Sequence, residues 1–242
     1  MINILKKIIY TGIVTEKYDE GQVPARFRGE VEFENKVCKD CRACIGVCPT
    51  KAIISTGQGL IVNHKACIFC GRCVEHCELQ QIHHTDRYQL ATMYDSEANN
   101  TGKKLKKRIN SIFGRSLHIR HVDVGSCNAC DFEMGALSNP IYDLQQYGID
   151  FVPSPRHADI LMVTGVVTRN LTQALLMTYE ATPTPKLVMA VGACAASGQV
   201  FGSSYAVRGA VDTLVHVDIY VPGCPPRPQA LLYGLSLAMN KF

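Results

Sequence analysis

Residues 38–49 read CKDCRACIGVCP and residues 67–78 read CIFCGRCVEHCE, the same spacing of four cysteines 29 positions apart. Cys38, Cys41, Cys44 and Cys48 recur as Cys67, Cys70, Cys73 and Cys77, and Ile53 recurs as Ile82. Such internal self-similarity marks one supersecondary unit used twice. Each copy runs from a cysteine loop through a helical turn into a short apolar piece, Ala52 to Ser55 and Ile82 to Thr85. That pattern predicts a duplicated α+β domain over residues 31–86.

Three thiolates at two-residue intervals can cap three irons of one cube, and CxxCxxCxxxC followed by Pro49 is the bacterial ferredoxin pattern for [4Fe-4S] clusters. In that pattern the fourth cysteine ligates the other cluster. One set is therefore Cys38, Cys41, Cys44 and Cys77, and the other is Cys67, Cys70, Cys73 and Cys48. Glu78 replaces the second proline, a departure that affects a turn and no ligand. Structural zinc at paired CxxC motifs is the competing chemistry, but zinc does not require the double two-residue spacing twice over. Lys39, Arg42 and Arg72 lie inside the motifs, where their charge would favour a reduced, more negative cluster or serve solubility alone.

Outward from this domain the chain changes character twice. Residues 87–116 lose pattern: Asp95 to Gly102 is polar and turn-like, and Lys103, Lys104, Lys106, Lys107 and Arg108 form a basic run, which reads as a basic linker. From Leu117 apolar runs alternate with helical patterns. Leu117 to Val124, Ile149 to Val152, Ile160 to Thr164, Leu187 to Val191 and Ile219 to Val221 read as buried strands. Glu133 to Tyr147, Thr168 to Ala181, Ala206 to Val215 and Pro228 to Asn240 read as helices. The alternation predicts an α/β parallel sheet covered on both faces over residues 117–242.

Four further cysteines fall in this second domain, and three of the strand ends carry them. Cys127 and Cys130 follow the first strand, Cys194 follows Leu187 to Val191, and Cys224 follows Ile219 to Val221. Ligands of open α/β sheets sit beyond the carboxyl ends of strands, so one topology gathers all four at one edge. Gly125, Gly192, Gly198, Pro222, Gly223, Pro225 and Pro226 flank them, giving the constrained loops that a close backbone approach needs. A third cubane is the natural reading, against four separately buried inert thiols. Three cubanes account for all twelve cysteines.

The chain is 242 residues long, 47% hydrophobic and 19% charged, enough for a core in each of two domains and far from a disordered composition. Its formal charge of +4 decides nothing, because cysteine-ligated clusters add negative charge that the count omits. Lysines interrupt the apolar stretch of residues 1–14, so no secretory signal is expected. No run of about 18 apolar residues predicts a membrane span. Residues 1–30 read as an N-terminal arm, in which Met1, Ile4, Leu5, Ile8 and Ile9 share a helical face beside Lys6 and Lys7. That amphipathic face suits a membrane-domain subunit or the bilayer interface. His118 and His121, three apart on a strand, point to opposite faces, and neither they nor the adjacent His83 and His84 form a chelating pair. No aromatic platform accompanies the lysine run, and no glycine-rich fingerprint follows a strand, so neither nucleic acid nor a nicotinamide cofactor is an expected ligand.

Gly125 to Glu133 (GSCNACDFE), Pro153 to Gly165 (PSPRHADILMVTG), Gly192 to Gly198 (GACAASG) and Pro222 to Pro228 (PGCPPRP) resemble the small subunit of [NiFe] hydrogenases. More narrowly they resemble the membrane-associated group 4 enzymes, including formate hydrogenlyase, and their relative, the 20 kDa iron-sulfur subunit of respiratory complex I. Residues 1–86 resemble the two-cluster ferredoxin subunit of the same complexes, so two usually separate subunits are fused here. The resemblance implies a ferredoxin-like domain followed by a flavodoxin-like one. It also implies electron transfer between a nickel-iron large subunit and a ferredoxin or formate dehydrogenase-type donor, on the cytoplasmic face of a membrane complex. In the complex I subunit the first two ligands are expected to be adjacent cysteines. Cys127 and Cys130 are separated by two residues, as in hydrogenases, which favours hydrogen over quinone chemistry. Glu133 occupies the position of a family glutamate facing the large subunit, which suggests proton transfer. Arg156 and His157, in the PRHAD segment, would contact a partner or a cluster sulfur, or serve structure alone.

Overall fold

The computed structural model describes residues 2–16, 23–34, 43–57, 59–93 and 116–239. Cys38, Cys41, Lys39, Arg42 and the basic run of residues 103–108 lie outside the described residues, as does Met1.

The carboxyl-terminal half is organised by strands too apolar to face water. β8 (Ile160–Thr164) and β10 (Leu187–Val191) are buried at every position, which requires cover on both faces of the sheet. Together with β6 (Leu117–Asp123), β7 (Ile149–Phe151) and β12 (Ile219–Val221) they form a parallel array in the order β12-β10-β8-β6-β7. Counted along the chain from β6, that order is two, one, three, four, five, so the connections change direction between β6 and β8. β5 (Thr92–Met93), just after the cysteine repeat, adds a sixth strand antiparallel to β12 through Ile219↔Met93 and Tyr220↔Thr92. The result is a mixed, mostly parallel six-stranded sheet of an α/β domain.

Side-chain alternation splits the core into two layers. Ile160, Met162, Leu187, Met189, Val191, Ile219 and Val221 face α4 (Ala129–Ala136) and α7 (Pro228–Ala238). Leu161, Val163, Val188, Ala190 and Tyr220 face α5 (Arg169–Ala181) and α6 (Gly192–Ser197). The sequence expectations for strands hold to within a residue or so, and β8, β10 and β12 match fully. Two helix expectations are corrected. The helix placed at Glu133 to Tyr147 begins earlier and ends at Ala136, with a separate 3-10 turn at Leu144–Tyr147. The helix placed at Ala206 to Val215 is absent: β11 (Val207–Gly209) pairs with β9 (Val167–Thr168), and only a 3-10 turn, Val211–Thr213, follows. Gly209, at a φ of +110°, breaks the helical path.

The cysteine-rich half consists of short elements around a small core. β1 (Val31–Phe33) pairs with β4 (Ile82–His84), and β2 (Ile53–Thr56) pairs with β3 (Gly59–Val62), each antiparallel. α2 (Ala43–Val47) and α3 (Arg72–Glu75) are the helical turns of the two repeats. Val31, Cys44, Ile53, Leu60 and Ile82 form the buried centre, with Cys48, Cys67, Cys73 and Cys77 packed against it. The repeat extends to backbone geometry. Lys51 and Gln80, equivalent positions, both take a positive φ, and the amides of Ala52 and Gln81 donate to the sulfurs of Cys48 and Cys77 at 3.2 and 3.3 Å. Pro49 and Glu78 both sit in turns, so the replaced proline leaves the local path unchanged.

α1 (Ile2–Thr11) precedes these modules, with Ile4, Leu5, Ile8 and Ile9 exposed. Chain after it is tied to the body where the Glu16 amide donates to the Ile141 carbonyl at 2.7 Å. No helix among the described residues is long and apolar enough to cross a membrane.

The amino edge of the parallel sheet yields a pH test. Asp218 is 5% exposed and accepts the Val188 amide at 2.7 Å, with His216 3.5 Å away. Burial pushes its carboxyl above the ordinary value, against the opposing pull of that amide and of His216. A raised acid binds its proton more tightly in the folded chain, so stability should rise as pH falls from the raised folded value to the ordinary carboxylate value. Asp218→Asn should be at least as stable as wild type at neutral pH, with the difference closing in acid. Thermal unfolding across pH checks this.

Candidate functional site

Three strand ends build the carboxyl edge. After β6 the chain turns sharply: Asp123 Oδ1 accepts the amides of Gly125 and Ser126 at 2.8 and 2.7 Å, and Ser126 Oγ accepts the Asn128 amide at 2.7 Å. Asn128 then takes a φ of +71°, and α4 starts with Cys130 in its first turn. This loop carries Cys127 at its exposed tip and Cys130 underneath, buried. From β10, Gly192 leads into α6 and brings in buried Cys194, while β12 ends on the Pro222–Pro226 loop with exposed Cys224. The Ala193 amide donates to the Gly223 carbonyl at 2.7 Å, tying the last two loops together.

The four thiols of Cys127, Cys130, Cys194 and Cys224 lie close enough to act on one another. Burial pushes the Cys130 thiol up to about 12, and the neighbouring Cys194, Cys224 and Cys127 add to it. Burial likewise pushes Cys194 up to about 11 and raises Cys224, again with support from the neighbouring thiols. Such a set resists becoming four thiolates until positive charge enters among them. The backbone makes room for this: Gly192 holds a φ of +84°, and a Cβ there would stand 2.7 Å from Cys130 Sγ. Among the described residues no three cysteine, histidine or acidic side chains converge as tightly as a single ion demands. Four sulfurs in mutual reach are the number and kind of ligand that an iron-sulfur cube takes.

A polar network holds the Cys127–Cys130 loop at the point where the sheet connections change direction. Asp131 receives Ser126 Oγ on one oxygen and Thr164 Oγ1, at the end of β8, on the other at 2.8 Å. His121 Nε2 lies 2.9 Å from both Asp131 Oδ1 and Thr164 Oγ1. Burial works against ionisation of Asp131, but the two hydroxyls and His121 outweigh it and hold the carboxyl below its ordinary value. His118 instead pairs with Asp159, 3.2 Å away, so the two strand histidines go to different partners. Adjacency to Cys130 was the only sequence signal for Asp131.

In the cysteine repeat the structure brings Cys67, Cys70, Cys73 and Cys48 together around one cavity, also lined by Phe69 and Arg72. Burial, opposed by the Phe69 amide and reinforced by the other three thiols, pushes Cys67 up to about 12; Cys73 rises to about 11 for the same first reason. The Phe69 amide donates to Cys67 Sγ at 3.4 Å. Cys44 belongs to the same small core, and Cys77 packs against it. Arg28, which no motif flags, donates to the Cys70 carbonyl, lies 3.4 Å from Glu75 and fills the space where a Gly71 side chain would go.

Glu133 is on α4 beside exposed Phe132; burial raises its carboxyl, and the charge of Arg227 opposes that rise. Arg156 and His157 lie on a 3-10 turn before β8, beside the amino-terminal half of the sheet and away from the cysteine edge.

Two family profiles match the chain: the NADH ubiquinone oxidoreductase 20 kDa subunit over residues 127–238, and a 4Fe-4S dicluster domain over residues 30–78. The probable membrane-bound hydrogenase subunit mbhJ of Pyrococcus furiosus is 47% identical over 147 residues, 60% of this chain and 88% of that protein. Formate hydrogenlyase subunit 7 of Escherichia coli is 43% identical over 149 residues, 62% of this chain, and the match spans only 56% of its length. Among solved structures, a chain of the archaeal membrane-bound sulfane sulfur reductase is 35% identical, covering 55% of this chain and 73% of its own, with a TM-score of 0.48.

Gly192→Ala should destabilise the fold by about 1–2 kcal/mol from the left-handed backbone alone, and more from the clash with Cys130. Gly135→Ala, in α4 with open space around the added methyl, should instead stabilise by about 0.5–1 kcal/mol. Chemical denaturation of both variants compares them directly.

Proposed function

Because the chain belongs to the family of the membrane-bound hydrogenase subunit mbhJ, we propose that it is the electron-relay subunit of a group 4 [NiFe] hydrogenase complex. In this reading it is a non-catalytic part of an oxidoreductase, with the nickel-iron site in a separate large subunit. The observation that carries the proposal is the cysteine inventory: all twelve cysteines fall into three sets of four, and the four outside the repeat come from three strand ends to one edge.

The proposed ligand sets are Cys38, Cys41, Cys44 and Cys77; Cys67, Cys70, Cys73 and Cys48; and Cys127, Cys130, Cys194 and Cys224. Three [4Fe-4S] clusters held there would supply one-electron transfer between the large subunit and a ferredoxin or formate dehydrogenase-type donor. The chain's own contribution is to bury the sulfurs, exclude water and aim donors at them. Amides of Ala52, Phe69 and Gln81 on the sulfurs of Cys48, Cys67 and Cys77 favour added negative charge. Glu133 is proposed to hold a proton on its raised carboxyl at the surface that faces the large subunit.

The finer architecture belongs to the same proposal: an amphipathic arm at 1–30, a ferredoxin-like domain at 31–86, a basic linker at 87–116 and a flavodoxin-like domain at 117–242. The strand order supports the last of these, and the dicluster profile match supports the second. The exposed apolar face of α1 supports a peripheral position on the cytoplasmic face of a membrane complex, beside its other subunits. The second reading, an iron-sulfur subunit of a complex I-like quinone oxidoreductase, rests on the 20 kDa subunit profile. The two-residue separation of Cys127 and Cys130 favours the hydrogenase.

Anaerobic purification with native partners should give about twelve irons per chain, nickel in the complex and hydrogen turnover. Cys127→Ser should remove about four irons and stop turnover while the dicluster signals persist. An intact complex lacking nickel and hydrogen turnover, or zinc in place of iron, would overturn the proposal.

A further inference from the structure

Where the two modules meet, a cleft opens between them. One wall is Ile68 and Phe69, between Cys67 and Cys70; the other is the Pro222–Pro226 loop that holds Cys224. Arg227, three residues beyond Cys224, lies in this cleft as the residue that starts α7. Its guanidinium carbon is 5.0 Å from the ring centroid of Phe27 and 5.0 Å from that of Tyr88. Those rings come from the chain as it enters the cysteine-rich module and as it leaves it. Both belong to the other module's core as well: Tyr88 is a buried member of the layer beneath α7, and Phe27 packs against that layer.

The remaining contacts of Arg227 fix its direction. Nε donates to Gln229 Oε1 at 2.7 Å, and Gln229, 1% exposed, donates onward to Glu16 Oε2 at 3.0 Å, which reaches the N-terminal arm. Nη1 is buried with no hydrogen-bond partner among the described residues, and no carboxylate among them forms an ion pair with this side chain. The rings grip the faces of the guanidinium beside the Gln229 hydrogen bond and the charge of Glu133, and a planar cation suits them where an ammonium does not.

We infer that Arg227 is a positioning residue, a latch whose guanidinium, held by Phe27 and Tyr88, fixes the Cys224 loop against the two segments flanking the cysteine-rich module. It thereby sets the separation between the sulfurs of the sheet edge and those of the Cys67–Cys73 loop. The functional meaning of that separation rests on the proposed electron relay, since tunnelling weakens exponentially with distance. The mechanical part does not.

The test uses the full chain, isolated anaerobically, with Arg227→Lys, Arg227→Met and, outside every cysteine motif, Tyr88→Leu. Hydrogen exchange of residues 24–30 and 87–91 should rise about fivefold or more in all three, as loss of a desolvated cation–π contact implies. In reduced protein the magnetic coupling between neighbouring paramagnetic centres should weaken while iron content and each centre's own spectrum stay unchanged. Wild-type exchange in Arg227→Lys and Tyr88→Leu would overturn the latch. Protein without iron-sulfur centres would defeat the relay reading, yet the exchange measurement would still decide the latch.

Discussion

Four sulfurs in mutual reach, two of them buried, cannot all be ionised together unless something positive lies among them, and the carboxyl-terminal half is built around that constraint. The parallel sheet needs cover on both faces because β8 and β10 expose nothing, and that cover leaves one edge where loops can converge. Converging loops bring thiols whose own surroundings oppose ionisation, Cys130 most strongly. The same crowding excludes a side chain at residue 192. Sheet topology, glycine placement and thiol chemistry are thus one requirement seen at three scales, and the iron charge of the proposed cluster would satisfy it.

The repeat shows the same logic without a sheet. The small core, five buried residues among those described, cannot supply much stability alone, and the cysteines that pack on it contribute apolar surface as well as sulfur. What duplication preserves is informative. Pro49 became Glu78, but the positive φ at Lys51 and Gln80 and the amide-to-sulfur bonds to Cys48 and Cys77 are alike in both copies. Those features point donors at the fourth sulfur of each run. The proline only shapes a turn that a glutamate also makes.

Much of this was legible in the sequence for identifiable reasons. Unbroken apolar runs such as 160–164 and 187–191 can only be buried parallel strands in an α/β pattern, and cysteine spacing is set by bond geometry that no context overrides. Features decided by distant partners were not legible. Residues 206–215 carry a helical pattern, yet pairing of Val207 with Thr168 and the conformation of Gly209 make a strand there. Two-residue β5 carries no periodicity at all and exists because β12 offers an open edge. Arg28, Arg227 and the hydroxyls around Asp131 belong to no motif, since their roles come from which loops meet in space.

Among the described residues the join between modules combines a two-residue strand pairing, Lys65 over the Tyr220 ring, Arg227 between two rings, and Phe27, Tyr88 and Ala91 packed into the core beneath α7. Separate subunits meeting here would have to offset the translational and rotational entropy cost of association with these contacts alone. In one chain that cost falls away, since a tethered module sees its partner at an effective concentration of about millimolar. Contacts freed from supplying affinity need only supply geometry. Ring stacking on a planar cation does this well, restricting distance and tilt together, and a strand pairing fixes register. The mbhJ match covers 60% of this chain, and the rest holds the dicluster repeat. Covalent continuity between the two therefore lets these contacts act on geometry rather than on affinity.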